Sequence, residues 1–492
     1  MVQSSGVILA LDQGTTSSRT LAVGLDGDVV ASAQEELPQI YPHPGWVEHD
    51  PRAIWSTQLR TAGSVVAQLQ GRPVLALGIT NQRETTIIWD RASGEPIHNA
   101  IVWQDRRTAS TINALKADGH EETINSKTGL VLDPYFSAAK IAWILDRVDG
   151  ARAKADRGEL AFGTVDCWLI WKLTEGRVHA TDATNAARTS LFDISRQSWA
   201  ADLCALFNVP MSLLPEVKDC AADFGTTKLL GSDIPIRGVA GDQQSAAIGQ
   251  ACLKPGEAKC TYGTGAFLIL NTGETRINSA NRLLTTIAYR LDGKTAFAQE
   301  GAILTAGAAI QWLRDGLGII RDGAEAERLA ASVDDNAGVY MVPGFTGLGA
   351  PHWDADARGL ICGLSRGATR AHLARAALEA AAYQTHDLVA AMCADGAMIE
   401  CLRIDGGMAA NDWLAQFLAD ILALPVDRPV NVETTAQGAA ILAALGAGIV
   451  ASIDEALTLW QLDRRFDPCL KPDQRSELLA GWNTALNRAF TE

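Results

Sequence analysis

Residues 7–23 read VILALDQGTTSSRTLAV, and residues 259–270 read KCTYGTGAFLIL. Each stretch is a short apolar run, a turn rich in Gly and Thr, and a second apolar run. This pattern is typical of two β-strands joined by a tight turn. The two stretches lie half a chain apart, and each precedes a similar mixture of Val- and Ile-rich runs and longer amphipathic segments. The sequence therefore predicts a duplicated α/β domain.

The predicted boundary between the two copies lies near residues 250–256. The segment Leu253-Lys254-Pro255-Gly256 supplies the turn chemistry for a hinge there. A chain of 492 residues also exceeds what one hydrophobic core usually serves. We therefore expect an N-terminal domain over residues 1–252 and a C-terminal domain over residues 253–492.

Composition excludes several classes of protein. The chain has 42 Lys and Arg against 57 Asp and Glu, which gives a net charge of −15, and 47% of its residues are hydrophobic. That hydrophobic content excludes intrinsic disorder. An acidic chain repels both a nucleic-acid backbone and an anionic membrane, so we expect neither as a partner.

The sequence predicts neither membrane insertion nor export. The Ala-rich stretch 439–451 is too short to span a bilayer and has helical spacing, so it predicts a buried helix. No basic residue precedes the apolar run 7–11, which does not resemble a signal peptide. The nine cysteines are scattered and never spaced Cys-x-x-Cys. That pattern favours a reducing cytoplasm and argues against structural zinc.

The first turn has the chemistry of a phosphate site. Its backbone N–H groups and hydroxyls can donate to phosphate oxygens. Asp12, at the end of the first strand, could hold a magnesium ion through water. The residues predicted to meet phosphate are Thr15, Thr16, Ser17 and Arg19. An ordinary polar hairpin turn is the alternative, and the matching turn around Thr264 argues against it. Two such turns, one per domain, would hold a nucleotide in a cleft between the domains.

Asp242 follows the apolar run 236–240 and precedes a predicted helix over residues 243–250. The carboxyl end of a strand is where α/β proteins place catalytic groups. A carboxylate there can accept the proton of an alcohol that attacks a γ-phosphate. A helix-capping aspartate is the simpler interpretation, and the two roles are compatible.

Arg83 and Glu84 are adjacent between two predicted strands, and together they could grip neighbouring hydroxyls of a polyol. A surface ion pair is the alternative. Trp103, Tyr135 and Phe267 are core aromatics by default, but if they converged they would wall the CH faces of a small polyol.

Other nucleotide-binding motifs fail. The chain contains no G-x-G-x-x-G, so a Rossmann site has no support. Gly293-Lys294-Thr295 resembles the end of a P-loop, but Ala288 occupies the position of its first glycine. The dipeptide Asp292-Gly293 instead predicts a hairpin turn.

Five separated segments, in order along nearly the whole chain, resemble the FGGY family of carbohydrate kinases and, within it, the members that phosphorylate glycerol. The segments are LDQGTTSSR at 11–19, GITNQRETT at 78–86, YFSAAKIAW at 135–143, GDQQ at 241–244, and GLICGL at 359–364 with His372-Leu373 and Leu378-Glu379 following.

The resemblance implies two ribonuclease-H-like domains of the actin and hexokinase type, with the active site in the cleft between them. It implies an enzyme that uses ATP and magnesium to convert glycerol to sn-glycerol 3-phosphate, the entry step of glycerol catabolism. The implied glycerol ligands are Arg83, Glu84, Trp103, Tyr135, Asp242, Gln243 and Phe267. Asp242 would be the base, Asp12 would assist catalysis, and both would hold magnesium through water.

The resemblance assigns the C-terminal domain to the nucleotide, through Thr264, Gly307, Gln311, Gly407 and Asn411. It also implies a homo-oligomer, either a dimer or a tetramer. A longer Gly/Arg loop binds an inhibitory sugar bisphosphate in some family members. Only residues 228–234 stand at that position here, so the resemblance does not extend to that inhibition.

Three alternatives remain from the sequence. The nearest is a kinase of the same family that acts on a ketopentose or a larger polyol. The second is a nucleotide-switched module of the actin or chaperone type, which would leave Arg83, Glu84 and Asp242 without a role. A dehydrogenase is the weakest, because its glycine fingerprint is absent.

Overall fold

The computed structural model describes residues 6–354, 356–457 and 460–490, which form two compact units. Unit 1 comprises the described residues up to 251 together with 285–297 and 434–460. Unit 2 comprises residues 252–284, 298–433 and those from 461 onward. Two segments of the second half of the sequence, 285–297 and 434–460, thus belong to unit 1.

In the first half of the chain the elements are β1 (Val7–Gln13), β2 (Ser17–Gly24), β3 (Val29–Glu36), β4 (Glu48–His49), α1 (Pro51–Gln68), β5 (Val74–Asn81), β6 (Ile87–Asp90), β7 (Ala100–Ile101), α2 (Ala109–Ala117), α3 (Glu121–Thr128), α4 (Ser137–Arg147), α5 (Ala151–Asp156), β8 (Leu160–Gly163), α6 (Val165–Leu173), β9 (Ala180–Asp182), α7 (Ala183–Ala186), β10 (Phe192–Asp193), β11 (Ser198–Trp199), α8 (Ala201–Leu206), β12 (Glu216–Lys218), β13 (Thr226–Thr227), β14 (Ile234–Gly241) and α9 (Asp242–Gly249).

In the second half they are β15 (Glu257–Tyr262), β16 (Ala266–Gly273), β17 (Leu284–Leu291), β18 (Lys294–Ile303), α10 (Gly307–Asp315), α11 (Gly323–Ala331), β19 (Tyr340–Val342), β20 (Leu360–Cys362), α12 (Arg370–Ala394), β21 (Cys401–Asp405), α13 (Asp412–Leu422), β22 (Val426–Pro429), α14 (Thr434–Gly446), α15 (Ile453–Leu457), β23 (Leu462–Phe466) and α16 (Pro472–Ala489). Short 3₁₀ helices cover Met211–Leu213 and Gly407–Ala410.

The main sheet of unit 1 has the strand order β13-β14-β5-β1-β2-β3. Strand β1 pairs antiparallel with β2 and parallel with β5, and β14 extends the parallel part. Alternate side chains of β1 pack on opposite faces: Val7 and Leu9 lie in the core that includes α1, whereas Ile8 and Ala10 contact α14. Because both faces are covered, the apolar runs of the sequence are nearly continuous.

Helix α14 shows why residues 434–446 belong to unit 1. It lies on the sheet where β5 and β14 carry glycine. A Cβ on Gly78 would lie 2.1 Å from the carbonyl oxygen of Ala439, and a Cβ on Gly238 would lie 2.4 Å from the amide nitrogen of Ala443. The buried helix expected at 439–451 is therefore confirmed in kind, but its ends differ. It spans Thr434–Gly446, and Gly448 follows with a positive φ of 67°.

Unit 2 repeats the strand plan. Its sheet contains β18-β16-β15-β21-β22-β23 in hydrogen-bonded order. Strand β15 pairs antiparallel with β16 and parallel with β21, as β1 does with β2 and β5. Long helix α12 crosses its core, where Tyr383 stacks on Trp482 at a centroid distance of 5.3 Å. The duplicated α/β plan predicted from the two hairpins is thus confirmed.

The P-loop-like segment is the predicted hairpin turn. Asp292 and Gly293 join β17 to β18, and both have positive φ, at 49° and 72°. That pair of angles is the type that closes a two-residue hairpin. Among the described residues, no helix combines the length and the apolar composition that crossing a bilayer requires.

Candidate active site

The carboxyl ends of three neighbouring strands meet at one edge of the unit 1 sheet. Asp12 on β1 lies opposite Thr80 on β5, and Gly241 on β14 lies opposite Asn81. Because β1 and β14 flank β5, their backbones are separated by two strand spacings, about 10 Å. Asp12 and Asp242 are therefore brought to the same edge from positions 230 residues apart.

Asp242 is the first residue of α9, and its side chain is 31% exposed. Its Oδ1 accepts a hydrogen bond from its neighbour's amide, Gln243 N, at 2.7 Å. The same oxygen lies 3.0 Å from Nε of Arg83, whose side chain is only 2% exposed. Arg83 also donates from Nη1 to Oε1 of Gln244 at 3.2 Å. A buried guanidinium thus orients the partly exposed carboxylate.

Glu84 has a left-handed backbone, with φ of 61°, which is uncommon for a residue with a side chain. Its carbonyl oxygen accepts from Ser137 Oγ at 3.0 Å and from Lys140 Nζ at 3.3 Å. Its Oε1 lies 2.5 Å from Nε of Arg188, and both side chains are fully buried. Arg83 and Glu84 are therefore not a surface ion pair, because each is buried and has a charged partner elsewhere in unit 1.

Two predicted aromatic residues converge on this region. Trp103 and Tyr135 pack edge to face with a centroid distance of 5.5 Å. The guanidinium of Arg188 lies 5.7 Å from the Tyr135 ring, so the aromatic pair adjoins the Glu84 ion pair. Phe267 lies in unit 2, half-buried on β16 opposite Thr261.

Lys140 was not anticipated from the sequence. It is fully buried, and besides the Glu84 carbonyl it donates to the carbonyl of Tyr135 at 2.7 Å. Burial lowers the pKa of Lys140 to about 7. This side chain therefore ties together the two backbone segments that carry Glu84 and Tyr135. Arg188 was also missed; the only sequence signal is an arginine inside the small-residue run 180–190.

The β1–β2 turn is closed by a hydrogen bond from Gly14 N to Ser17 O at 2.9 Å. Trp103 donates from its indole nitrogen to Thr15 Oγ1 at 2.9 Å. Thr16 is exposed, and Ser17 and Arg19 are half-buried. The turn predicted to meet phosphate is thus joined directly to a residue predicted to contact the polyol.

Unit 2 contains a cleft of about 470 Å³. All five residues that the sequence assigned to the nucleotide line it, namely Thr264, Gly307, Gln311, Gly407 and Asn411. Further lining residues that sequence reasoning missed include Ile310, Arg314, Glu327, Leu378 and Met408. A cleft of this size, with apolar walls and a few polar groups, fits a small organic ligand.

The start of α10 is built onto the β15–β16 turn. Gly307 N donates to the carbonyl of Gly263 at 3.0 Å, and Ala306 N and Ala308 N donate to the carbonyl of Thr264 at 2.9 and 3.0 Å. A Cβ on Gly307 would lie 2.5 Å from Gly263 O. Glycine is therefore required here by the close approach of two backbones.

Another lining segment of the cleft follows Gly406, whose φ is 84°. A short 3₁₀ helix follows, and α13 begins after it, with Asn411 Oδ1 accepting from Leu414 N at 2.8 Å. Gly407 therefore lies in the 3₁₀ turn, and Asn411 is the cap of α13.

Comparisons with known proteins agree on a family. The FGGY family of carbohydrate kinases, N-terminal domain, matches residues 7–249, and its C-terminal domain matches residues 258–447. A glycerol kinase of Rhodospirillum centenum is 60% identical over 98% of this chain and 97% of its own length. A glycerol kinase of Gluconobacter oxydans is 57% identical over 98% of this chain and 95% of its own.

Solved structures give the same result. The glycerol kinase of Plasmodium falciparum with ADP superimposes with a TM-score of 0.93 at 38% identity, covering 99% of each chain. A xylulose kinase of Lactobacillus acidophilus shares the fold, with a TM-score of 0.89 at 21% identity. The chain therefore belongs to the FGGY family of carbohydrate kinases.

Proposed function

We propose that this chain is an ATP-dependent glycerol kinase. It transfers the γ-phosphoryl group of ATP to a terminal hydroxyl of glycerol and releases sn-glycerol 3-phosphate and ADP. The observation that carries the proposal is the contact of buried Arg83 with the partly exposed Asp242, beside Glu84, in a chain 60% identical to a glycerol kinase. A nucleotide-switched module of the actin or chaperone type would leave Arg83, Glu84 and Asp242 without a role.

In unit 1, Asp242 is the general base. Its carboxylate accepts the proton of the attacking hydroxyl as the new O–P bond forms and the bond between the γ-phosphorus and the ADP oxygen breaks. Arg83 orients that carboxylate through Nε, which lies 3.0 Å from Oδ1. The proton leaves to solvent from the exposed side of Asp242 after the product departs.

Arg83, Glu84 and Gln243 hold the hydroxyls of glycerol, because together they present donors and acceptors near one carboxylate. Trp103 and Tyr135 pack on its carbon chain, and we assign Phe267 of unit 2 the same role. Ser137 and Lys140 bond the backbone of Glu84 and Arg188 bonds its carboxylate, so its side chain is preorganised.

Unit 2 binds the nucleotide in the cleft that Gly307 and Asn411 line, and the β1–β2 turn of unit 1 contributes Thr15, Thr16, Ser17 and Arg19 to the phosphates.

Magnesium fits Asp12 and Asp242, which lie at one sheet edge as oxygen ligands. Within the described residues no three acidic, histidine or cysteine side chains form a metal cluster. An ion held by one or two carboxylates, water and phosphates agrees with that finding. Bound there, magnesium would neutralise the developing phosphate charge.

We expect the protein in the cytoplasm, since all nine cysteines are free thiols and five of them are buried. We also expect a dimer or tetramer, from membership of the family. Light scattering after gel filtration at several concentrations tests the second expectation, and a monomer at every concentration would contradict it.

The activity is tested by coupled ADP release with ATP and magnesium. Glycerol is compared with dihydroxyacetone, erythritol, xylulose, ribulose and no acceptor. A strong rate with glycerol supports the proposal. A rate with a ketopentose alone would keep the mechanism and change the substrate, whereas hydrolysis independent of any acceptor would indicate a nucleotide switch.

A further inference from the structure

Behind the edge that carries Arg83 and Asp242 lies a short helix, α7, whose residues are all buried. Asp182 caps its first turn. Asp182 Oδ2 accepts from the amide of Thr184 at 2.8 Å and from its hydroxyl at 2.7 Å. Asp182 Oδ1 accepts from the amide of Asn185 at 3.0 Å and from its side chain at 2.8 Å. One carboxylate therefore fixes the side chains of two consecutive residues.

Those two side chains reach the ends of two adjacent strands. The hydroxyl of Thr184 accepts from Gly241 N at 2.9 Å. The side-chain amides of Asn185 and Asn81 exchange two hydrogen bonds. Asn81 Nδ2 donates to Asn185 Oδ1 at 2.9 Å, and Asn185 Nδ2 donates to Asn81 Oδ1 at 3.1 Å. Gly241 and Asn81 are partners in the sheet, and they directly precede the segments that carry Asp242 and Arg83. Helix α7 thus connects both functional segments from behind.

We propose that Thr184 is a positioning residue for the base of the reaction. Its hydroxyl gives its proton to Asp182, so its lone pairs point toward the Gly241 amide, and this bond sets where β14 ends and α9 begins. Asp242 is the first residue after that point. The inference rests on the proposed function, because it takes Asp242 as the base. Thr184 itself touches neither substrate nor reacting atoms.

The test replaces Thr184 with Val, which keeps the shape and removes the hydroxyl. We expect kcat with glycerol to fall about 10- to 100-fold, because small displacements of a reacting group cost that much. KM for glycerol and for ATP should stay within about three-fold, since the binding groups are untouched. Thr184→Ser restores the hydroxyl and should recover most of kcat.

The matched control is Thr181→Val. Thr181 is also buried, on β9 directly before α7, and its hydroxyl donates to Asp166 at 2.6 Å. This variant should lose comparable thermal stability while its kcat stays within about three-fold of the original. If both Val variants lose kcat equally, or if Thr184→Ser is as impaired as Thr184→Val, the hydroxyl has no specific role. Should Thr184→Val fail to fold, Thr184→Ala carries the same prediction with less crowding.

A double variant separates this inference from the proposed function. Adding Thr184→Val to Asp242→Asn should lower kcat no further, because Thr184 acts through Asp242. An additive loss would show that Thr184 acts on something else. If the original protein does not phosphorylate glycerol, or if Asp242→Asn is fully active, the proposed function fails, whatever Thr184 does.

Discussion

The two hairpin turns of this protein close alike but are supported differently. Gly14 N bonds Ser17 O at 2.9 Å in unit 1, and Gly263 N bonds Gly265 O at 2.8 Å in unit 2. In unit 1 the backbone amide of Leu37 donates to the carbonyl of Thr16 at 2.8 Å, and side chains add further support. Gln82 donates to the carbonyl of Gly14 at 3.1 Å, and Trp103 donates to the Thr15 hydroxyl.

In unit 2 the backbone of α10 does this work, through three amides that donate to the carbonyls of Gly263 and Thr264. Side-chain support links the first turn to the segments that carry Arg83 and the aromatic pair. Backbone support instead leaves Thr264 exposed to the cleft and excludes a side chain at Gly307. Under the proposed function, one copy of this duplicated motif serves the catalytic residues and the other serves the nucleotide.

The largest expected effect tests whether unit 1 supplies the base while unit 2 binds the nucleotide. Asp242→Asn removes the proposed base and keeps the size of the side chain, so kcat should fall about 10²- to 10⁴-fold, the usual contribution of a general base. ATP binding should persist, because the nucleotide cleft lies in unit 2. Steady-state assays with glycerol measure kcat, and calorimetric titration with ATP measures nucleotide binding.

The matched control is Asp50→Asn. Asp50 caps α1, where it accepts from Arg52 N at 2.9 Å, and asparagine caps equally well. This variant should retain activity. If Asp242→Asn kept full turnover while correctly folded, unit 1 would not supply the base.

Next in size is the contrast between Gly307→Ala and Gly14→Ala. A Cβ on Gly307 would lie 2.5 Å from a backbone carbonyl, whereas a Cβ on Gly14 would lie 3.3 Å from Ser17 O. We expect Gly307→Ala to cost about 1–3 kcal/mol of stability and to raise KM for ATP at least about ten-fold. Gly14→Ala should change either quantity by less than half as much.

Denaturant unfolding and steady-state kinetics of the two alanine variants measure this contrast. KM for glycerol should change little in Gly307→Ala. Equal effects of the two alanines would mean that the backbone support of the unit 2 turn has no functional consequence.

A third prediction concerns Lys140, which ties together the segments of unit 1 that carry Glu84 and Tyr135. Burial lowers the pKa of Lys140 to about 7, below the ordinary value of 10.5 that it has in the unfolded chain. Between these pH values the unfolded chain binds a proton that the folded chain lacks, so the contribution of Lys140 to stability rises with pH. The free energy of unfolding of the original protein, minus that of Lys140→Met, should therefore increase from pH 7 to pH 10.

The slope of that difference is at most about 1.4 kcal/mol per pH unit. Exposed Lys116 on α2 provides the control, because Lys116→Met should give a flat difference. A flat profile for Lys140→Met as well would mean that Lys140 stays protonated in the folded protein.

The smallest effect is expected for Trp103→Phe. The ring remains, but the bond to Thr15 is lost, and one such bond is worth about 0.5–1.5 kcal/mol. KM for ATP and for glycerol should both rise about two- to ten-fold, because Trp103 joins the phosphate turn to the polyol residues. A change in only one of the two constants would separate those roles.

Much of the fold could be predicted from local pattern. The strands around Gly14 and Gly263 and the turn at Asp292-Gly293 all formed, because turn chemistry and apolar periodicity act over a few residues. The placement of Asp242 at a strand end followed from the same rules. The ends of α14 and the 3₁₀ turn at Gly407 did not, since glycines permit several endings that tertiary contacts choose between.

The amino-acid sequence was enough to predict the duplicated strand-turn-strand plan, the family resemblance and the candidate site residues. The contacts of those residues become visible only in the folded chain. There Arg188 bonds Glu84, Thr184 bonds Gly241, and α14 belongs to unit 1. Glu84 and Arg188 lie 104 residues apart in the chain, and Thr184 and Gly241 lie 57 apart. Such pairings depend on which surfaces pack together in the folded chain, and a local sequence pattern does not encode partners that are so far apart.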